Sequence, residues 1–151
     1  MPANNFPVVL DGSPVGATIW FNPVAEAVTA LQAAAQASAW IPFTLLNGWT
    51  NRGSGFPAAA YRTPGYPLNS VDIIGQIIPG TKTDGTVLFT LPVGLRPANE
   101  VAGLSIFAQP GPGGAANLQV QPDGDCVIIN VTGTATLVQI CVRVPLDAPS
   151  A

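Results

Sequence analysis

The sequence predicts a mainly β protein: an antiparallel β-domain behind one short N-terminal α-helix. Three observations predict it. Residues 70–97, SVDIIGQIIPGTKTDGTVLFTLPVGLRP, hold two strand-like runs and a proline-punctuated corner. Sixteen glycines and sixteen prolines accompany a 48% apolar composition, a mixture that reads as turns between short strands rather than as disorder. Residues 22–40 carry the helical pattern.

The central run sets the strand pattern. Residues 71–78 are rich in Ile and Val, and residues 86–91 alternate, with Val87, Phe89 and Leu91 on one face, the period of a half-buried strand. Pro79-Gly80 and Asp84-Gly85 punctuate the loop between them. Pro92 and Pro97 lack the N–H that an interior strand donates, so the chain must leave the sheet there.

In chain order, residues 1–21 form an apolar, proline-broken arm with few charges, expected either to lie on the chain's own helix or to dock on a partner. Asn22-Pro23 reads as a helix start, because Asn caps and Pro suits the first helical position. Glu26 suits the positive end of the helix dipole. Val24, Val28, Leu31, Ala35 and Ser38 then follow at spacings of 4, 3, 4 and 3, a heptad seam. A lone helix cannot bury such a seam. It packs either on the β-domain or against copies of itself, in a short parallel bundle at the axis of an oligomer. Two heptads are marginal on their own, so the β-domains would share that interface.

Residues 41–69 hold four prolines and the aromatic residues Trp49, Phe56, Tyr61 and Tyr66. They read as a neck lying along the β-domain, with a short edge strand at residues 58–62. Beyond Pro97, residues 100–108 alternate, with Ala102, Leu104, Ile106 and Ala108 on one face. Residues 109–114 form a glycine- and proline-rich loop suited to a variable tip. Residues 117–121 are a short strand, and Pro122-Asp123-Gly124 fits a hairpin turn.

The last two strands, residues 126–131 and 136–144, are expected to pair as a hairpin through a type II′ turn at Gly133-Thr134. That register sets Val127 opposite Ile140, Ile129 opposite Val138 and Val131 opposite Thr136 on a core face. Cys126, Ile128, Asn130, Leu137, Gln139, Cys141 and Arg143 fall on a mixed face, exposed or at an oligomer interface. Cys126 would sit opposite Cys141 with Cα atoms about 5.5 Å apart, within disulfide reach. In a reducing compartment the expectation is two free thiols that behave as small apolar side chains.

Composition bounds the chemistry. Only 9% of residues are charged, against a usual ~25%, so much of the surface is expected to be buried against copies of the chain or a larger assembly. The net charge of −3 is spread without a basic run, which argues against nucleic-acid binding. No stretch approaches the ~20 apolar residues of a membrane span, and the N-terminus lacks a signal-peptide pattern. The chain has no histidine, which removes His-based triads and His metal ligands. Its carboxylates are dispersed; Asp72, Asp84 and Glu100 read as solvated structure rather than as a glycosidase pair. Asp123-Gly124-Asp125 lacks the further ligands of a calcium loop. The glycines of residues 109–114 do not stand between a strand and a helix, as a phosphate loop requires. Cys126 and Cys141 have only Arg143 nearby to activate a thiolate. No catalytic residue, cofactor or metal site is expected.

Several segments together resemble a family of bacteriophage virion domains. They are Gly48-Trp49-Thr50, Ala60-Tyr61-Arg62, Val71 with Gly75-Gln76-Ile77, Gly80-Thr81, and Leu118-Gln119-Val120 with Asp123-Gly124. The most specific is Phe89-Thr90-Leu91-Pro92-Val93-Gly94-Leu95-Arg96-Pro97. The family is the trimeric C-terminal knobs of tail fibres and receptor-binding proteins, and the likeness spans residues 45–145. It implies a β-sandwich that trimerises about a threefold axis behind a helical stalk. The division expected is a docking arm (1–21) that contacts other virion proteins, a stalk helix (22–40), a neck (41–69), a β-sandwich knob (70–146) and a tail (147–151). The resemblance implies a virion protein made in the bacterial host cytoplasm. It would be either a tail-tip or fibre component that attaches to a host-surface saccharide, or a decoration protein of the capsid. Val24, Val28, Leu31, Ala35 and Ser38 would form the trimer seam. Trp49, Tyr61 and Tyr66 are the aromatic residues that could stack on a sugar, although each also suits packing.

Overall fold

The structure, a computed structural model, describes residues 17–65, 69–109, 115–131 and 133–147. The chain divides into two units between Ala35 and Gln36.

In the first unit, α1 spans Ala17–Ala35. It starts a turn earlier than Asn22-Pro23 suggests and ends before Ser38. Pro23 lies inside it, where its missing N–H forgoes a single bond to the carbonyl four residues back. The early end has a local cause. The Ser38 N–H donates to the Thr63 carbonyl at 2.9 Å, and the Thr63 N–H donates to Ser38 Oγ at 2.9 Å. Ser38 is thereby drawn out of the helical path, so the seam as a helical stripe stops at Ala35. Val28 and Leu31 are 46% and 67% exposed, and Ala35 is exposed. The side chain of Val24 and the arm at residues 1–16 lie outside the described residues; residues 17–21 of the expected arm are helical.

The second unit is one antiparallel sheet. Its strands are β1 (Ile41–Pro42), β2 (Thr50–Asn51), β3 (Ala60–Arg62), β4 (Ser70–Ile78), β5 (Thr86–Thr90), β6 (Val101–Gln109), β7 (Ala115–Val120), β8 (Asp125–Ile129) and β9 (Leu137–Pro145). They run in the order β1-β3-β4-β9-β6-β7-β8-β5, with β2 also on β4. The sheet curls until its two ends meet. The Leu46 N–H, just past β1, donates to the Leu88 carbonyl in β5 at 2.9 Å, and Asn47 Nδ2 donates to the Val87 carbonyl at 2.8 Å. Inside this seam the Phe43 and Phe89 rings stack 3.9 Å apart.

Alternation carries the core, as a half-buried strand requires. On β4, Val71, Ile73 and Ile77 are fully buried, and on β9 so are Val138, Ile140 and Val144. They join Leu88, Leu91, Leu118, Val120 and Ile128 in one cluster. The expected neck is part of this body. Residues 41–69 supply three strands, and Phe43, Trp49 and Ala59 are buried in the core. Nor is β3 an edge strand, because it pairs with β1 on one side and β4 on the other.

The corner at residues 89–97 is built from its own sequence. The Leu91 N–H donates to the Gly124 carbonyl at 2.8 Å, and the Leu95 N–H to the Pro92 carbonyl at 3.1 Å. Gly94 takes φ +94 at the third position of that turn, where a side chain would be strained. Arg96 reaches back with Nε to the Leu91 carbonyl at 3.0 Å. The motif is therefore a backbone device, and its arginine is spent on a carbonyl.

The expected closing hairpin is overturned. β8 pairs with β5 and β7, and β9 pairs with β4 and β6. Gly133 does not take the positive φ of a type II′ turn. β8 and β9, consecutive in the chain, are not neighbours in the sheet. With the partners wrong, Cys126 and Ile128, expected on the mixed face, belong to the core cluster, while Val127 at 3% exposed is buried as well and Val131 keeps its expected place in the core. Cys126 lies opposite Phe89 and Val120, Cys141 lies opposite Ile74, and both cysteines are free. On β6 the expected face holds at Ile106 and Ala108. A bulge at Ala102-Gly103, with Gly103 at φ +72, then turns Ala102 outward and Val101 towards the core.

Candidate functional site

Three adjacent strands place one residue each in a row across the outer face of the sheet. The register pairs Arg62 with Asp72, and Asp72 with Arg143. Because side chains alternate, all three project to the side opposite Ile73 and Val71. Arg143 Nε donates to Asp72 Oδ1 at 2.6 Å and its Nη2 to Oδ2 at 3.2 Å, and Arg62 Nε donates to Oδ2 at 3.3 Å. Asp72 is a buried carboxylate, its side chain 11% exposed, while Arg62 and Arg143 remain 35% and 52% exposed.

The Arg143 hydrogen bonds, and then the charges of Arg143 and Arg62, hold the Asp72 carboxyl below its ordinary value of 3.8 against the opposing effect of burial. Both its oxygens are engaged, so Asp72 is poorly suited to accept or deliver a proton. Asp72 in return raises Arg143.

Trp40 completes the row. The Arg62 guanidinium lies 4.4 Å from the centre of its ring, a cation–π contact. Trp40, Arg62, Asp72, Ile74, Cys141 and Arg143 line a shallow depression of about 380 Å³. Cys141 is exposed there, whereas Cys126 is buried, with its Sγ 3.7 Å from the Gly124 carbonyl. Burial, with a smaller contribution from Asp125, pushes the Cys126 thiol far up. Cys126 is an inert core residue.

The aromatic residues expected to meet a sugar are placed differently from one another. Trp49 is 2% exposed, and its Nε1–H donates to the Thr81 carbonyl at 2.9 Å. It is a core residue and unable to stack on a ligand. Tyr61 is half-buried, with its ring 4.9 Å from that of Phe43. It lines a second depression of about 310 Å³ with Phe43, Leu46, Thr90 and Pro92. Tyr66 lies outside the described residues.

Trp40 and the arginine–aspartate row were not singled out from sequence as a site. The alternation on each strand is visible there, but the register that aligns the strands is not. Among the described residues no group of three or more His, Cys, Asp or Glu could hold a metal ion. Among the same residues no helix is long and apolar enough to cross a membrane.

No protein-family model matches the chain, and no curated protein matches it in sequence. Among solved structures, the chain is similar to the receptor binding protein of Listeria phage PSA. The TM-score is 0.63 at 20% identity, over 82% of this chain and 74% of that one. The likeness is one of fold: that receptor binding protein and this chain share a curled antiparallel sheet.

Proposed function

We propose that the chain is a non-enzymatic structural protein of a bacteriophage virion. In this reading it is a homotrimeric tail-tip or fibre component whose β-domain, a sandwich-like knob, attaches to saccharide on the host surface. The observation that carries the reading is the fold likeness to a phage receptor binding protein over most of both chains. Two features support it. The exposed Val28 and Leu31 on α1 suit a threefold helical bundle, with residues 1–21 contacting a neighbouring virion protein. The depressions beside Trp40 and Tyr61 combine aromatic rings with polar groups, as small-ligand sites do.

Purified protein should bind host cells or their isolated wall glycans, and should release no reducing sugar from them. Absence of binding would count against attachment. One observation favours a second reading. The helix has 19 residues, far from an extended shaft, which suits a trimer that decorates the capsid. Electron microscopy of virions labelled through this protein distinguishes tail tip from capsid surface.

A further inference from the structure

We propose that the Arg62–Asp72–Arg143 row, with Trp40 beside it, is a subsite for an anionic oxygen group, a carboxylate or a phosphate carried on the host saccharide. The proposal rests on the attachment reading above for the source of its ligand, and on the geometry of the row for its chemistry.

The charges in the row do not cancel. Two guanidiniums meet one carboxylate, leaving an excess positive charge in a chain of net charge −3 with only five basic residues. Arg62 and Arg143 tie β3 and β9 to β4 through a single carboxylate, so the three-strand row carries one cation more than it neutralises. Asp72 takes Nε from each arginine and one Nη from Arg143. The remaining guanidinium N–H groups have no acceptor among the described residues, and both arginines stay accessible.

A guanidinium fork matches the two oxygens of a carboxylate or phosphate, and donors already fixed in place lose little freedom on binding. Trp40 carries the Arg62 guanidinium over its ring and is still 38% exposed, so it adds apolar surface in the same depression for the carbon skeleton of a sugar ring. The volume of about 380 Å³ falls within the range of small-ligand sites.

Cys141 lines the same depression and reports on it in the native protein. Its alkylation by iodoacetamide should be followed in inorganic phosphate, in glucuronate and in glucose, at matched ionic strength. Phosphate or glucuronate should slow the reaction about threefold or more near saturation, while glucose leaves it unchanged. Protection by phosphate alone assigns a phosphate source, and by glucuronate alone a carboxylate source. Arg143→Gln should abolish the protection. Arg143→Lys, which keeps the charge and loses the fork, should weaken it, and serves if the first variant fails to fold.

No protection by either anion overturns the proposal. So does equal protection in a folded Arg143→Gln protein, or a Cys141 that does not react at all, since the depression would then be closed to solutes. Host-cell binding separates the two readings. Wild-type binding that Arg143→Gln leaves intact overturns the anion subsite and keeps attachment. Wild-type protein that shows anion protection yet binds no host cell overturns attachment alone.

Discussion

Gly75 on β4 faces Ala59 so closely that a Cβ on it would stand 2.8 Å from the Ala59 Cα. The contact lets the chain before β3 lie flat on the buried face of β4. Ala59 is held there from both ends: its N–H donates to Asn51 Oδ1 at 2.8 Å, and its carbonyl accepts from the Phe43 N–H at 2.9 Å. The neighbour is backbone and cannot swing aside. Gly75→Ala should therefore cost about 1–3 kcal/mol, the range for overpacking a tight core. Urea denaturation measures it, and an unchanged midpoint would show that the segment is free to move.

The Asp72 row gives stability a defined pH dependence. The carboxyl is held below its ordinary value of 3.8, first by its Arg143 hydrogen bonds. A group whose folded pKa is depressed contributes fully above its unfolded value and loses that contribution as pH falls through the folded value. Wild-type stability should thus fall on acidification below about pH 4. Asp72→Asn should be less stable than wild type at neutral pH and lose less on the way down. Thermal melts from pH 7 to pH 2 check this; parallel curves for the two proteins would remove Asp72 from the account.

Local signals made the strands legible, and long-range pairing explains what was missed. β4 and β5 stand where Ile/Val enrichment and apolar alternation put them, because those patterns depend only on which face is dry; within β5 a register shift between Val87 and Phe89 brings Leu88 into the core in place of Val87, beside the expected Phe89 and Leu91. The partners of β8 and β9 do not follow from such patterns. The hairpin reading joined them because they are neighbours in sequence, and Cys126 was turned outward as a result. Arg143 meets Asp72 across 71 residues, and no short-range spacing encodes that meeting. Trp49 suits a core anchor and a sugar platform equally in sequence, because a tryptophan has the same signature in both roles. Only the Thr81 carbonyl at its Nε1 decides. The Gly94 turn, by contrast, was announced by its own residues.

The two thiols should differ sharply. Cys126 is fully buried in the core, and its thiol is pushed up by burial; Cys141 is exposed on the outer face of β9. A thiolate is the reactive form, so native protein should expose one fast thiol to a disulfide reagent. Denatured protein, never treated with reductant, should expose two. Mass spectrometry of the fast product should place the label on Cys141. A labelled Cys126 would mean that β8 opens readily, and no thiol at all after denaturation would mean a bridge.

α1 presents an apolar stripe to solvent. Val28 and Leu31 are 46% and 67% exposed, and residues 25–33 are exposed throughout. A helix of 19 residues gains most of its stability from packing rather than from propensity, even when rich in alanine. With 9% charged residues, the chain also has little polar surface to keep copies apart. Both facts are met if three helices share their Val28–Leu31 faces. Burying a leucine contributes about 1.5–3 kcal/mol. Placing three glutamates at that layer forfeits this in each copy and adds like-charge repulsion. Wild-type protein should sediment as a trimer at micromolar concentration, and Leu31→Glu should raise the dissociation concentration by several orders of magnitude. The sheet has its own core, so the thermal signal of the β-domain should survive the substitution. A wild-type protein that sediments as a single chain, or a Leu31→Glu trimer as tight as wild type, would move the interface away from this helix.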